Sequence, residues 1–144
     1  MTRSKRMQRI VALADAARRQ ASQQVAQSHR LQEESQVRLA QFKTYQQEYA
    51  QSIGQGSGTL TASSLREARR FIEQIERTIN ALEVQSRQAA ERCEEDVARW
   101  QREAQRVDAL SGVLDAARRR EGREEAGREQ REQDDRPRIT NGAD

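Results

Sequence analysis

Residues 65–82 read LREARRFIEQIERTINAL, and the apolar spacing that begins in this stretch decides the fold. Seam positions recur alternately three and four residues apart as far as residue 117, and all but Ser86, Asp96 and Glu103 are apolar. A repeat averaging about 3.5 residues, kept over about seven heptads, makes a long helix supercoil against a partner. The seam consists of Leu65, Ala68, Ile72, Ile75, Ile79, Leu82, Ser86, Ala89, Cys93, Asp96, Trp100, Glu103, Val107, Leu110, Leu114 and Ala117.

A second helix is predicted before this one. Residues 2–53 contain no Gly or Pro, and residues that favour helices dominate. Their seam is apolar at both ends and polar around Ser28, Gln32 and Ser35, where we expect weak packing. It consists of Val11, Ala14, Arg18, Ala21, Val25, Ser28, Gln32, Ser35, Leu39, Phe42, Gln46, Tyr49 and Ile53.

A glycine-rich link separates the two helices. Gly54, Gly56 and Gly58 supply backbone conformations that helices avoid, which predicts a loop over residues 54–63. Ser64 followed by Glu67 is typical of a capping box, so the second helix is predicted to begin at about residue 64. Two helices of similar length around a short link favour an antiparallel hairpin that is monomeric in isolation.

Folding the chain symmetrically about this loop predicts which residues meet. Leu39 then lies opposite Ile79, Val25 lies opposite Cys93, and Ser28 lies near Ala89. Beyond residue 120 the chain is mostly charged and lacks an apolar seam. The predicted fold is therefore all-α. It is a long antiparallel two-helix coiled-coil hairpin over residues 1–120, with helices at about 2–53 and 64–120, followed by a disordered charged tail over residues 121–144.

Composition excludes several classes of function. Aromatic residues make up 3% of the chain and charged residues 34%, so a thick core with a deep catalytic pocket is not expected. The net charge is +3, but basic residues are mostly interleaved with acids, which argues against nucleic-acid binding. The single cysteine fits a reducing cytosol. No stretch approaches the ~20 apolar residues of a membrane span.

The possible chemical motifs are weak. The glycines of the link lack the lysine and hydroxyl residues of a phosphate loop. His29 with Glu33 supplies fewer ligands than a zinc site needs, and Cys93 sits at a seam position, as a small buried hydrophobe would. We therefore predict no catalytic, cofactor-binding or metal-binding residue, and a protein that is not an enzyme.

Phe71 lies one place off the seam, beside Ile72. Two interpretations are open. In the first, the ring widens the packing within the hairpin against Tyr45 or Tyr49. In the second, it anchors a partner protein, since exposed aromatic residues are common hot spots.

The order of these residues resembles a known family. Leu39, Phe42, Tyr45, Glu48 and Tyr49 precede the glycine-rich bend; Phe71, Ile72, Ile75, Glu76 and Ile79 follow it, and a lone Trp100 comes later. This arrangement, over roughly residues 5–120, is similar to that of the flagellar export protein FliJ family. The resemblance implies a cytoplasmic component of the flagellar type III export apparatus that is peripherally associated with the inner membrane at the flagellar base.

The resemblance also implies partners and sites. It implies a coiled-coil stalk whose tip, formed by the two chain ends, enters the hexameric ring of the export ATPase. It further implies contacts with the membrane export gate and the escort of export chaperones. The gate-binding positions correspond to Phe71, Ile75, Thr78 and Leu82, although Thr78 and Leu82 depart from the family's residue types, and Ile75 and Leu82 are seam positions.

The sequence also offers candidate residues for the ATPase contact and leaves two alternative functions open. Basic residues near the chain ends can meet an acidic surface, so Arg9 and Arg106 are candidates for binding the ATPase ring. The alternatives are a stalk protein of an injectisome type III secretion system and a generic dimerising coiled-coil scaffold.

Overall fold

Two long helices make up the described part of the chain. The computed structural model describes residues 2–55 and 61–136. Helix α1 spans Arg3–Gln55 and helix α2 spans Ala62–Asp135, and these ranges contain no strand. The helices pack against each other, which confirms the predicted all-α helical hairpin. Residues 56–60 of the predicted loop and residues 137–144 of the predicted tail lie outside the described residues.

The predicted seams are the sides that the helices bury. In α1 every seam position from Val11 to Ile53 is buried or half-buried. In α2 the same holds from Ala68 to Ala117, whereas Leu65 is 50% exposed. Most of the free energy that holds such helices comes from burying an apolar stripe rather than from helix propensity. The 3.5-residue spacing therefore identified the contact surface correctly.

The hairpin divides into two compact units. The bend unit comprises residues 19–101, and its buried apolar residues are Ala21, Ile75, Ile79, Leu82 and Cys93. The terminal unit comprises residues 1–18 with residues 102–144, and it buries Ala14 and Leu114. Each unit therefore has a small apolar core of its own between α1 and α2.

The polar contacts of Ser28 and Lys43 depart from the predicted pairing by about one heptad, whereas Phe71 packs on Tyr45 and Tyr49, which flank its predicted partner at position 47. In the bend unit Ser28 donates a hydrogen bond to Asp96, seven residues farther along α2 than the predicted neighbour Ala89. Lys43 Nζ lies 3.6 Å from Glu83 Oε1, again farther along α2 than a symmetrical fold allows. Shifting a coiled coil by one heptad keeps every seam residue on the seam, so apolar spacing alone cannot distinguish the two pairings.

The start of α2 also differs from the prediction. Thr61 Oγ1, rather than Ser64, accepts the capping hydrogen bond, from the backbone N–H of Ser64 at 3.2 Å. The Thr61 carbonyl accepts the first helical bond from the Leu65 N–H at 3.0 Å. Thr and Ser are both good N-cap residues, and a cap at either position leaves the seam unchanged. The helix consequently begins two residues before the predicted start.

The end of α2 lies farther along the chain than predicted. The helix continues to Asp135, so residues 121–135, which were assigned to the disordered tail, are helical. This segment lacks an apolar seam, but Glu, Arg, Gln and Ala favour helix, and acidic and basic residues recur four apart, as in Glu124 and Arg128. Nearly all of these residues are exposed. Local helix preference therefore accounts for an extension that packing does not require.

Candidate interaction surfaces

The four residues matched to a gate-binding site separate into two pairs. Ile75 and Leu82 are 4% and 7% exposed and belong to the core of the bend unit. Phe71 and Thr78 are half-buried at the edge of the seam. A partner can therefore contact Phe71 and Thr78 directly, whereas contact with Ile75 or Leu82 requires the helices to separate. The seam had predicted this burial of Ile75 and Leu82.

Phe71 packs against two tyrosines of α1. Its ring centroid lies 4.6 Å from that of Tyr49 and 6.1 Å from that of Tyr45, in tilted and edge-to-face arrangements. Such aromatic pairs contribute roughly 0.5–1.5 kcal/mol beyond the area that they bury. The first interpretation of Phe71, packing within the hairpin, is thus confirmed. Tyr45 is still 46% exposed, so the cluster also presents aromatic surface.

An uncharged strip runs along α2 from this aromatic cluster, and we call it the uncharged edge. Its members recur three and four residues apart on one side of the helix, and all are exposed or half-buried. A run without charge is notable in a chain with 34% charged residues. The members are Phe71, Gln74, Thr78, Ala81, Gln85 and Gln88.

The opposite edge of the bend unit has a different character. There Lys43 and Glu83 form an interhelical ion pair between exposed or half-exposed side chains. Exposed ion pairs of this kind stabilise a fold by less than about 1 kcal/mol. The two edges of one hairpin therefore offer a partner different chemistry: neutral and partly aromatic on one, charged on the other.

The two candidate arginines for an ATPase contact are both exposed in the terminal unit. Arg9 lies five residues after Ser4, and Arg106 lies fifteen residues before Glu121. Because Ser4 and Glu121 are hydrogen-bonded, the two arginines are separated by about ten helical residues, or about 15 Å along the axis. They do not form one cluster, so a partner that uses both must cover about three helical turns.

A carboxylate of α2 caps the start of α1. The Ser4 N–H donates to Glu121 Oε1 at 3.0 Å, and Ser4 Oγ donates to Glu121 Oε2 at 2.6 Å. First-turn N–H groups have no partner within their own helix, and an anion there is favoured by the helix dipole. The two bonds from Ser4 lower the pKa of Glu121 below its ordinary value of 4.5. This contact could not be predicted from the sequence, because it depends on the register.

This contact predicts a pH-dependent contribution to stability. A carboxyl whose pKa is lowered by folding stabilises the fold above its unfolded pKa, and the contribution is lost as the pH falls through the folded value. Glu121→Gln should therefore lower the melting temperature near neutral pH, and its difference from the parent chain should shrink on acidification below 4.5. Thermal melts followed by circular dichroism provide the measurement. Glu125→Gln, in the exposed extension, is the control, and a pH-independent difference for Glu121→Gln would contradict the assignment.

The sequence offered two further residues for a chemical role, His29 and Cys93. His29 Nδ1 lies 3.4 Å from Glu33 Oε1, four residues on, and both side chains are exposed. Cys93 is a buried free thiol, as its seam position predicted. Within residues 2–55 and 61–136 no group of three His, Cys, Asp or Glu residues could hold a metal ion.

Comparison with known proteins gives one match. The family model described as Flagellar FliJ protein matches residues 3–139. Neither the comparison with individual curated proteins nor that with solved structures found a match. No described helix is both long and apolar enough to cross a membrane.

Proposed function

The chain belongs to the flagellar FliJ protein family, and from that premise we propose that it is a stalk that couples the export ATPase ring to the membrane export gate. Membership makes it a component of flagellar type III protein export. We further propose that the chain acts without catalysis or cofactor, that it escorts export chaperones, and that it works in the cytoplasm against the inner membrane. The match to a flagellar family favours this role over an injectisome stalk or a generic scaffold.

We place the proposed contact with the gate on the uncharged edge. Phe71 and Thr78 are the two matched positions that remain at the surface of the bend unit, and both belong to this edge. Interface cores are depleted in charge and enriched in aromatic residues. The neighbouring Tyr45 adds exposed aromatic surface from α1. Ile75 and Leu82 then act indirectly, by holding α2 in place beneath the edge.

We place the proposed contact with the ATPase ring on the terminal unit. It contains both chain ends, and Arg9 and Arg106 are exposed there. Exposed arginines suit an acidic partner because electrostatic complementarity steers association and fixes orientation. Two partners thus bind two different units of one hairpin, so that the same chain can contact both at once.

Thr78→Arg tests the gate surface. The substitution places a charge in the uncharged edge, and desolvating that charge should weaken binding of the purified cytoplasmic domain of the gate about tenfold or more. Thr78 is half-buried and its Oγ1 donates to the Gln74 carbonyl at 3.0 Å, so circular dichroism should verify that the hairpin is retained. Binding is measured by isothermal titration calorimetry.

Asn80→Arg is the matched control for this experiment. Asn80 is exposed and lies two residues further along the same helix, outside the uncharged edge. An arginine at this position therefore adds the same charge on another side of α2. We expect its gate affinity to equal that of the parent chain. Equal losses for the two variants, or no loss for Thr78→Arg, would show that the gate does not bind at this edge. Phe71→Ala is a poorer probe because it also removes the ring contacts with Tyr45 and Tyr49.

A further inference from the structure

One side of the terminal unit combines arginines with apolar residues over residues 3–17 and 102–123. In α1 the relevant positions are 3, 6, 10, 13 and 17, which lie within an arc of about 80° at about 100° per residue. In α2 they are 102, 106, 109, 113, 116, 120 and 123, which share one side by the same spacing. The charged members are Arg3, Arg6, Arg102, Arg106, Arg120 and Arg123, and all are exposed.

The other half of these positions is apolar. Leu13 is 73% exposed, and Ile10 and Val113 are 42% and 46% exposed. Large apolar side chains exposed together mark an interaction surface more often than single exposed residues do. The apolar members are Ile10, Leu13, Ala17, Ala109, Val113 and Ala116. We call the twelve positions together the cationic–apolar face.

The two helices contribute to the same side of the unit. Arg3 of α1 lines one surface concavity with Val113, Ala116 and Arg120 of α2. The hydrogen bonds between Ser4 and Glu121 hold the two strips in this register. In the register predicted from the sequence, the basic start of α1 would have lain about a heptad away from the arginines near residue 120. The face is therefore a product of the register.

Acidic residues of these segments lie elsewhere on the helices. Within residues 3–17 and 102–123 the acids are Asp15, Glu103, Asp108, Asp115 and Glu121, and none occupies a position of the face. Glu103 and Glu121 belong to the seam side, and Glu121 accepts both bonds from Ser4. The same concavity is also lined by five glutamates, at positions 121, 124, 125, 129 and 132, which bound the face at its C-terminal end.

We propose that the cationic–apolar face docks onto the surface of a membrane that contains anionic phospholipid. Arginine pairs with phosphate through a planar fork of N–H donors, and the long side chains can reach headgroups on either side of the apolar centre. Ile10, Leu13 and Val113 then enter the boundary between headgroups and acyl chains, as the apolar side of an interfacial helix does. Anionic headgroups fit because the face carries six positive charges and no negative one.

This docking is separate from the contact proposed for the gate, and it shares only Arg106 with the contact proposed for the ATPase ring. It needs no protein partner, and it places the terminal unit against lipid rather than the uncharged edge against protein. Its test therefore uses only the full chain and vesicles, and the result does not depend on either protein contact.

Vesicle co-sedimentation of the full chain tests the proposal. The chain should bind vesicles of phosphatidylcholine mixed with phosphatidylglycerol, and it should not bind vesicles of phosphatidylcholine alone. Arg120→Gln with Arg123→Gln should lower the partition coefficient about tenfold or more. Arg118→Gln with Arg119→Gln removes the same charge from neighbouring exposed positions outside the face, and it should have a smaller effect of about threefold or less.

Two further comparisons separate insertion from general charge attraction. Leu13→Ala should weaken vesicle binding, whereas Leu65→Ala, at a 50% exposed leucine of the bend unit, should leave it unchanged. Glu124→Gln with Glu125→Gln should strengthen it. Absent binding to anionic vesicles, equal losses for the two arginine pairs, or an unaffected Leu13→Ala variant would overturn the proposal. Stronger retention by polyglutamate or duplex DNA than by vesicles would also overturn it, and would assign the face to an acidic polymer.

Discussion

Ile79→Asp should destabilise the hairpin by about 3 kcal/mol or more, which is a large part of the stability of a domain of this size. Ile79 is 7% exposed in the core of the bend unit. The substitution removes buried apolar atoms and leaves an unpaired carboxylate among Ile75 and Leu82. Chemical denaturation followed by circular dichroism measures the change.

The neighbouring residue provides the control for this substitution. Asn80 is exposed, so Asn80→Asp adds the same charge to the same turn of α2 without entering the core. Surface substitutions of this kind change stability by about 0.5 kcal/mol or less. Similar losses of stability for Ile79→Asp and Asn80→Asp would contradict the assigned contact surface of α2.

The sequence predicted the fold because one physical signal dominates it. An apolar stripe repeating every 3.5 residues can be buried only on one side of a helix, and Ile75, Ile79, Leu82 and Leu114 lie where that rule puts them. The run of glycines that begins at Gly54 predicted the end of the first helix to within about two residues, since α1 continues through Gly54 to Gln55. These inferences use local spacing alone, and the structure confirms the helical hairpin.

The register could not be predicted in the same way. Displacing α2 by one heptad leaves Ile79 and Leu82 on the seam, so the decision rests on polar pairs such as Ser28 with Asp96 and Ser4 with Glu121. The first turn of α2 also begins earlier than predicted, with its cap at Thr61 rather than Ser64.

The interaction surfaces also differ in whether the sequence could predict them. The burial of Ile75 and Leu82 followed from their seam positions, whereas the packing of Phe71 on Tyr49 was one of two interpretations that the sequence left open. The uncharged edge could also have been found by reading one side of α2 for missing charges. The cationic–apolar face could not, because it exists only when the basic start of α1 meets the arginines near residue 120, and that depends on the register.

The second large effect concerns the two proposed protein partners, which we expect to bind different units. Charge reversal at Arg9 with Arg106, as Arg9→Glu with Arg106→Glu, should weaken ATPase binding about tenfold, because both arginines are exposed in the terminal unit. The same variant should leave gate binding unchanged. Thr78→Arg, in the bend unit, should do the reverse.

The most direct test of the coupling function is therefore the affinity of these two variants for each of the two partners, measured separately with the purified ATPase and the cytoplasmic domain of the gate. A stalk that uses two units for two partners predicts that each variant loses one partner and retains the other. If both variants lose both partners equally, or if neither variant loses either, the assignment of the partners to separate units is contradicted.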